Sequence, residues 1–327
     1  MLSRVAGGLF WMSRYVERAE TVARLLDAGR RINAIPSSPE VRAAEWASII
    51  VASGCRETFP KPLEEADQRS VAQHLIFDES NPSSIRMCLY QARTNARAMR
   101  TAVTADAWEA INESWIAMRA KAPEHITGGE FAPFLDWAKG QAQKFRGAID
   151  DTLLRDSGYN FTRLGQYVER ADATARLLDV KYHVLLPADA EVGGVVDEGQ
   201  WVQILRAAGA LRAYRHVYRA SVTPDRVVHY LVLNGMCPRS LRYCSAMVLR
   251  QLDELRTRLG QSHAAHTRAG EMFARLQDLE IAEVFTDGLH EFLTGRIEEN
   301  NRLAVDIAAG YGFGPAEAAL QEQLQED

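Results

Sequence analysis

Cysteine is scarce and unpaired in this sequence. Only Cys55, Cys88, Cys237 and Cys244 are present in 327 residues, and no two form a CxxC pair. That argues against a disulfide framework and a cysteine-based zinc site, and it suits a reducing compartment. No ExxH or HExxH occurs, and the HxxH of His263 and His266 has no carboxylate at ligand spacing, so no metal is expected. There is no P-loop, no GxSxG and no GxGxxG opening a helix after a strand. No cofactor is therefore expected on this chain, and any nucleotide chemistry would come from another one. No run of eighteen apolar residues exists, so no membrane span is expected. Arg4, Arg14 and Glu17 bracket an apolar run too short for a secretory leader, and the expected location is the cytoplasm. A net charge of −5 gives no basic footprint for nucleic acid.

What is present is a repeat. Residues 15–27, YVERAETVARLLD, return at 167–179 as YVERADATARLLD, identical at ten of thirteen positions. WASIIVASGC (46–55) is echoed by WVQILRAAGA (201–210), and VAQHLIFDESNPSSIR (71–86) by VVHYLVLNGMCPRSLR (227–242). The offsets are 152, 155 and 156 residues, so block order is kept and only loops change length. A period this long is not a solenoid repeat. It reads as a tandem duplication, with a first helical repeat over 1–157 and a second over 158–327, packed together about a pseudo-twofold axis.

Both halves read as helical. Met12, Val16, Ala19, Ala23 and Leu26 recur at helical spacing, as do Leu164, Val168, Ala171, Ala175 and Leu178. Residues 82–103, Asp136–Leu154 and Phe292–Ala309 predict further helices, and Thr223-Pro224-Asp225 predicts a helix start. VVHYLVL (227–233) resembles a strand, but its echo VAQHLIF is less β-branched and both read as helix. Loops are expected near 33–40, 57–64, 122–130, 187–199 and 310–315. The fold class is all-α: a bundle of about ten helices without a β-sheet.

On a helical projection Arg14, Glu17, Glu20, Arg24 and Asp27 lie opposite the apolar arc, and Gln166, Glu169, Asp172, Arg176 and Asp179 do the same in the echo. Arg18 and Arg170 flank the stripe. A solvated face stitched by i,i+4 pairs is one reading, each pair contributing roughly 0.2–0.5 kcal/mol. It does not require the same charge at the same turn in both copies. A covered face does, because a buried charge must be paired. The stripe is therefore expected to be a polar network at the junction of the halves, or else a ligand pocket. ARTNAR (92–97) adds Arg93, Asn95 and Arg97, where the two arginines could form an anion fork or an exposed basic face. Glu109 and Asn112 stand at i,i+3 beside Trp108, Ile111 and Trp115, which read as core.

LSRVAGGLFWMSRYVERAETVARLLD (2–27), NPSSI (81–85) with ARTNAR, WEAIN (108–112), and DTLLRDSGYNFTRLGQYVERADATARLLDVKYHVLLP (151–187) together resemble the bacterial alpha-E domain family, from Leu2 to about Gly312. The resemblance implies an all-helical protein. It further implies genes beside, or fused to, a circularly permuted ATP-grasp ligase and often a transglutaminase-like peptidase, and hence a role in forming peptide or amide bonds. The two copies differ at Ser13 against Gly165 and at Arg14 against Gln166.

Three functions fit. The first is a non-catalytic partner that docks the ligase or its peptide substrate. The second is an enzyme of the same pathway, with Glu17 or Glu169 as general base and Arg24, Arg176, Arg93 or Arg97 holding a substrate carboxylate. The third is a self-associating scaffold. The candidate site residues are Glu17 and Glu169 for catalysis, with Arg14, Arg18, Glu20, Arg24, Arg93, Asn95, Arg97, Arg170, Asp172 and Arg176 for binding.

Overall fold

The computed structural model describes residues 2–36, 38–125, 128–183 and 194–313. Among them are fourteen α-helices and no strand. Up to Thr152 these are α1 (Ser3–Ile32), α2 (Pro39–Ser53), α3 (Gln68–Ala72), α4 (Ile85–Ala98), α5 (Ala105–Arg119) and α6 (Phe131–Thr152). Then follow α7 (Ser157–His183), α8 (Val195–Ala207), α9 (Leu211–Tyr218), α10 (Pro224–Val232), α11 (Leu241–Leu259), α12 (Ala264–Asp278), α13 (Ile281–Asp287) and α14 (Leu289–Gly310).

The count exceeds the ten or so expected because left-handed residues cut the later chain into short pieces. Gly209, Gly260 and Gly288 have φ of 69°, 68° and 98°, and Arg219 ends α9 at φ 49°. The expected loop at 187–199 lies partly outside the described residues, and α8 already begins at Val195. The loop expected at 310–315 is described only to Phe313. VVHYLVL is helical in α10, and VAQHLIF forms α3 and a π-helical turn over Gln73–Phe77.

Helix starts follow the local chemistry. In the echoed proline blocks, Ser84 accepts a hydrogen bond from Met87 N and Ser240 from Tyr243 N, each capping the helix it precedes. The Cys88 and Cys244 thiols, one turn later, lie near the carbonyls of Pro82 and Pro238. Both cysteines are buried, and burial pushes each thiol up to about 12.

Helices α1 and α7 form the centre. Of the 30 residues of α1, 23 are buried, so it is enclosed on every side rather than amphipathic at a surface. α4 and α6 pack on α1, while α11 and α14 pack on α7. α2 lies against α7 as well as α1, and α8 against α1 as well as α7. One continuous apolar core draws on residues before and after 157, including Leu9, Leu26, Ile49, Leu164, Leu178 and Ile204.

The two central helices touch at Gly165. A Cβ there would stand 2.1 Å from the backbone oxygen of Phe10, so only glycine permits this approach. Paired residues along the contact are separated by 151 to 155 positions, as in helices running in the same direction.

A helix-interior Gly→Ala change ordinarily stabilises by about 0.5–1 kcal/mol. Gly165→Ala is expected to do the opposite, costing about 1–3 kcal/mol or more because α1 and α7 must separate. Gly147→Ala, on an open face of α6 with nothing near the added carbon, should follow the ordinary rule. Urea denaturation of the two variants measures both signs.

Candidate functional site

The site is built where the two Glu-Arg pairs meet. Arg18 donates from Nε to Glu169 Oε1 at 2.6 Å and from Nη2 to Oε2 at 3.0 Å. Arg170 answers with Nε to Glu17 Oε1 at 2.8 Å and Nη2 to Oε2 at 3.1 Å. Each pair is bidentate and crosses from one central helix to the other. The four side chains are buried, with Glu17 only 1% and Glu169 3% exposed. Arg18 and Arg170, expected beside the stripe, are its centre.

Further arginines complete the coordination. Glu169 also accepts from Arg14 Nε at 2.7 Å, while the Arg14 guanidinium lies 4.5 Å from the Trp11 ring. Glu17 accepts from Arg146 Nη1 of α6 at 2.9 Å and has Arg239 Nη1 at 3.5 Å. Glu20 binds Arg24, Arg146 and Arg239.

Arg24 and Arg176 do not pair across the central contact. Each holds the acid one turn back on its own helix: Arg24 Nη2 to Glu20 at 2.6 Å, and Arg176 Nε to Asp172 at 2.6 Å. Each then reaches the last turn of a neighbouring helix. Arg24 donates to Ala207 O of α8 at 2.5 Å, and Arg176 to Ala52 O of α2 at 3.4 Å. Those two helices end in left-handed glycines, Gly209 and Gly54, against which the same guanidiniums rest. Asp27 binds Arg30, Arg31 and Lys139, and Asp179 binds His290.

The electrostatics follow. Burial pushes the Glu169 carboxyl up, but Arg18 and Arg14 outweigh it and hold the group at about 2. Burial opposes ionisation of Glu17 too, and Arg170, Arg146 and Arg239 more than offset it, leaving the group below its ordinary value. Glu20 is held well below its ordinary range against burial by Arg239, Arg24 and Arg146. Arg239 itself is lowered to about 10 by burial and by Arg24 and Arg170, against the pull of Glu20 and Glu17.

A pocket of about 60 Å³ opens beside this junction. Its lining includes Arg14, Ser53, Ser83, Asp172, Arg176 and Asn301.

The remaining candidates lie elsewhere. Arg93 donates to Asn112 Oδ1 at 2.8 Å and stacks over Trp108, Arg97 is exposed, and Asn95 is half-buried. Arg93 and Arg97 therefore form no fork, because Asn112 and Trp108 take Arg93 toward α5. His263 and His266 cap α12, and no metal-holding group of side chains occurs among the described residues. Arg146, Arg239, Ser83 and Asn301 were not singled out from sequence. The signal for one pair was available: CPRSL sets Arg239 where NPSSI has Ser83.

The chain is thus an all-helical protein whose two Glu-Arg pairs are buried against each other between its central helices. Residues 1–311 match the model of the Alpha-E family, described as a predicted alpha-helical domain with a conserved ER motif, and the chain belongs to that family. It is similar to the uncharacterized proteins Mb2597 of Mycobacterium bovis and Rv2567 of Mycobacterium tuberculosis, each 25% identical over 320 residues. The match covers 88% of this chain and 34% of each relative, so the chain spans about a third of the curated relatives it matches. No solved structure matches it. Among the described residues no helix is long and apolar enough to cross a membrane.

Glu169→Gln should cost about 3–5 kcal/mol in chemical denaturation, since it strips Arg14 and Arg18 of their buried counter-charge. The pH dependence has a definite sign. The folded carboxyl sits at about 2 against an ordinary 4.5, so its contribution is complete above about 4.5 and disappears as pH falls toward 2. The acid limb of wild-type melting temperature is expected in that window and flattened in Glu169→Gln.

Proposed function

We propose that this chain is a non-catalytic partner unit of an ATP-grasp-type system that forms peptide or amide bonds, working in the cytoplasm. The observation that carries the non-catalytic part is the state of the two candidate bases. A general base must have a free lone pair and a pKa near the working pH. Glu17 and Glu169 instead spend both oxygens on buried arginines and are held below their ordinary range. The alternative, in which these carboxylates activate an amine, loses support for the same reason. The nature of the partner rests on the family resemblance together with the missing nucleotide motifs. In the relatives the matching region makes up 34% of a longer chain.

Co-expression with a circularly permuted ATP-grasp ligase tests the proposal. The expected result is co-purification of the two chains, ligase product that depends on this chain, and no ATP binding by the isolated chain in calorimetry. Tight ATP binding by the isolated chain would overturn it. So would product formation that is unchanged when the chain is left out.

A further inference from the structure

The two ends of the Glu-Arg junction are built from corresponding residues but close differently. At the Glu20 end, Arg239 and Arg146 fill the space with guanidiniums. At the other end the first proline block carries Ser83 in the place of Arg239, and α14 contributes Asn301. The pocket of about 60 Å³ lies there, and hydrogen-bond donors converge on it. Arg14 is 4% exposed, spends its Nε on Glu169 and rests on the Trp11 ring, while neither of its Nη groups donates to a described residue. Arg176 Nη2, the Ser83 hydroxyl and the Asn301 amide donate to none either. Acceptors are used up. Both oxygens of Glu169 are taken by Arg14 and Arg18, and Asp172 Oδ2 by Arg176. Asp172 Oδ1 is without a donor but is buried and presents no surface to a ligand. Donors sheltered from water in this way call for an acceptor.

We propose that this pocket binds a carboxylate group, held by the Arg14 and Arg176 guanidiniums with Ser83 and Asn301 donating beside them. The charge balance agrees. Arg14, Arg18 and Arg176 stand against Glu169 and Asp172, three cations to two carboxylates, which leaves one positive charge over. The other end cannot cancel it, because Arg24, Arg146, Arg170 and Arg239 already outnumber Glu17 and Glu20. A single negative charge matches the surplus. A doubly charged phosphate would exceed it and meet Glu169 and Asp172 at close range. The planar N–H fork of a guanidinium also suits a carboxylate. A water occupies about 10–15 Å³ on the same measure, so the volume admits an acetate-sized group of about four heavy atoms. Gly54, in the lining, is exposed, so the pocket reaches solvent and the rest of a longer ligand can lie outside. The carboxylate belongs to a small acid or to the C-terminus of a peptide. Its binding here requires no ligase, so this proposal and the preceding one can fail separately.

Titration calorimetry of the full chain at fixed ionic strength tests it, with sodium acetate, with acetyl-glycyl-glycine, and with acetamide as the uncharged probe of the same size. Saturable binding of both acids at one site per chain is expected, and none of acetamide. Tighter binding of acetyl-glycyl-glycine than of acetate marks a peptide end as the natural ligand, and equal binding marks a small acid. Arg14→Gln, which puts in the residue of the echo, should weaken acetate about tenfold or more, since charge-assisted hydrogen bonds are lost. Because Arg14 also serves Glu169, a second variant leaves that contact intact. Ser83→Glu should supply a carboxylate from within, melt at or above the wild-type temperature and abolish binding. Failure of both acids to bind wild type overturns the proposal, as does acetamide binding as well as acetate. Undiminished acetate binding in a folded Ser83→Glu protein overturns it too. So does phosphate binding more tightly than acetate, which would make the pocket a phosphate site.

Discussion

Everything in this fold is arranged around the burial of charge between two parallel helices. Taking a carboxylate and a guanidinium out of water costs several kcal/mol each, and only close, multiply bonded geometry returns that cost. Glu17 with Arg170, and Glu169 with Arg18, meet the condition by bidentate contact in both directions. The pairs also determine register. A slip of one residue between α1 and α7 would strand four buried charges, a far larger penalty than the same slip in an apolar seam. Gly165 permits the close approach, and the surrounding helices exclude water from it.

The same constraint explains how neighbouring helices are placed. Arg24 and Arg176 cannot both neutralise their own acids and leave their remaining N–H groups bare. They reach the terminal carbonyls of α8 and α2, which a helix end leaves without intrahelical donors. Helix-end satisfaction and charge satisfaction are thereby met by one side chain in each case. It also carries each guanidinium from one repeat of the sequence to a helix of the other, so neither repeat completes its polar bonding alone.

The echo is imperfect where the polar network is densest. Arg14 stands against Gln166, and Ser83 against Arg239. At one end Arg14 serves Glu169 directly. At the other, that place is glutamine, and Arg146 from α6 and Arg239 from the turn before α11 approach Glu17 and Glu20. The first solution leaves a pocket, and the second fills the space with side chains.

The helices themselves were legible in the sequence. Period and proline locate α1, α4, α6, α7 and α14 and the start of α10, because these are local effects of backbone sterics and side-chain spacing. That the charged stripe is covered also followed from its repetition. The sequence could not assign the partners. A helical projection places Glu17 opposite the apolar arc whether that side meets water or a guanidinium, and it set Arg18 and Arg170 at the margin. Arg146 and Arg239 lie 129 and 222 positions from Glu17 along the chain. Only the packing of α6 and α11 on the central helices brings them there. Local propensity determined which segments are helical. The pairing of buried charges was decided by tertiary structure, because ion-pair energy depends on distances between segments that no local pattern encodes.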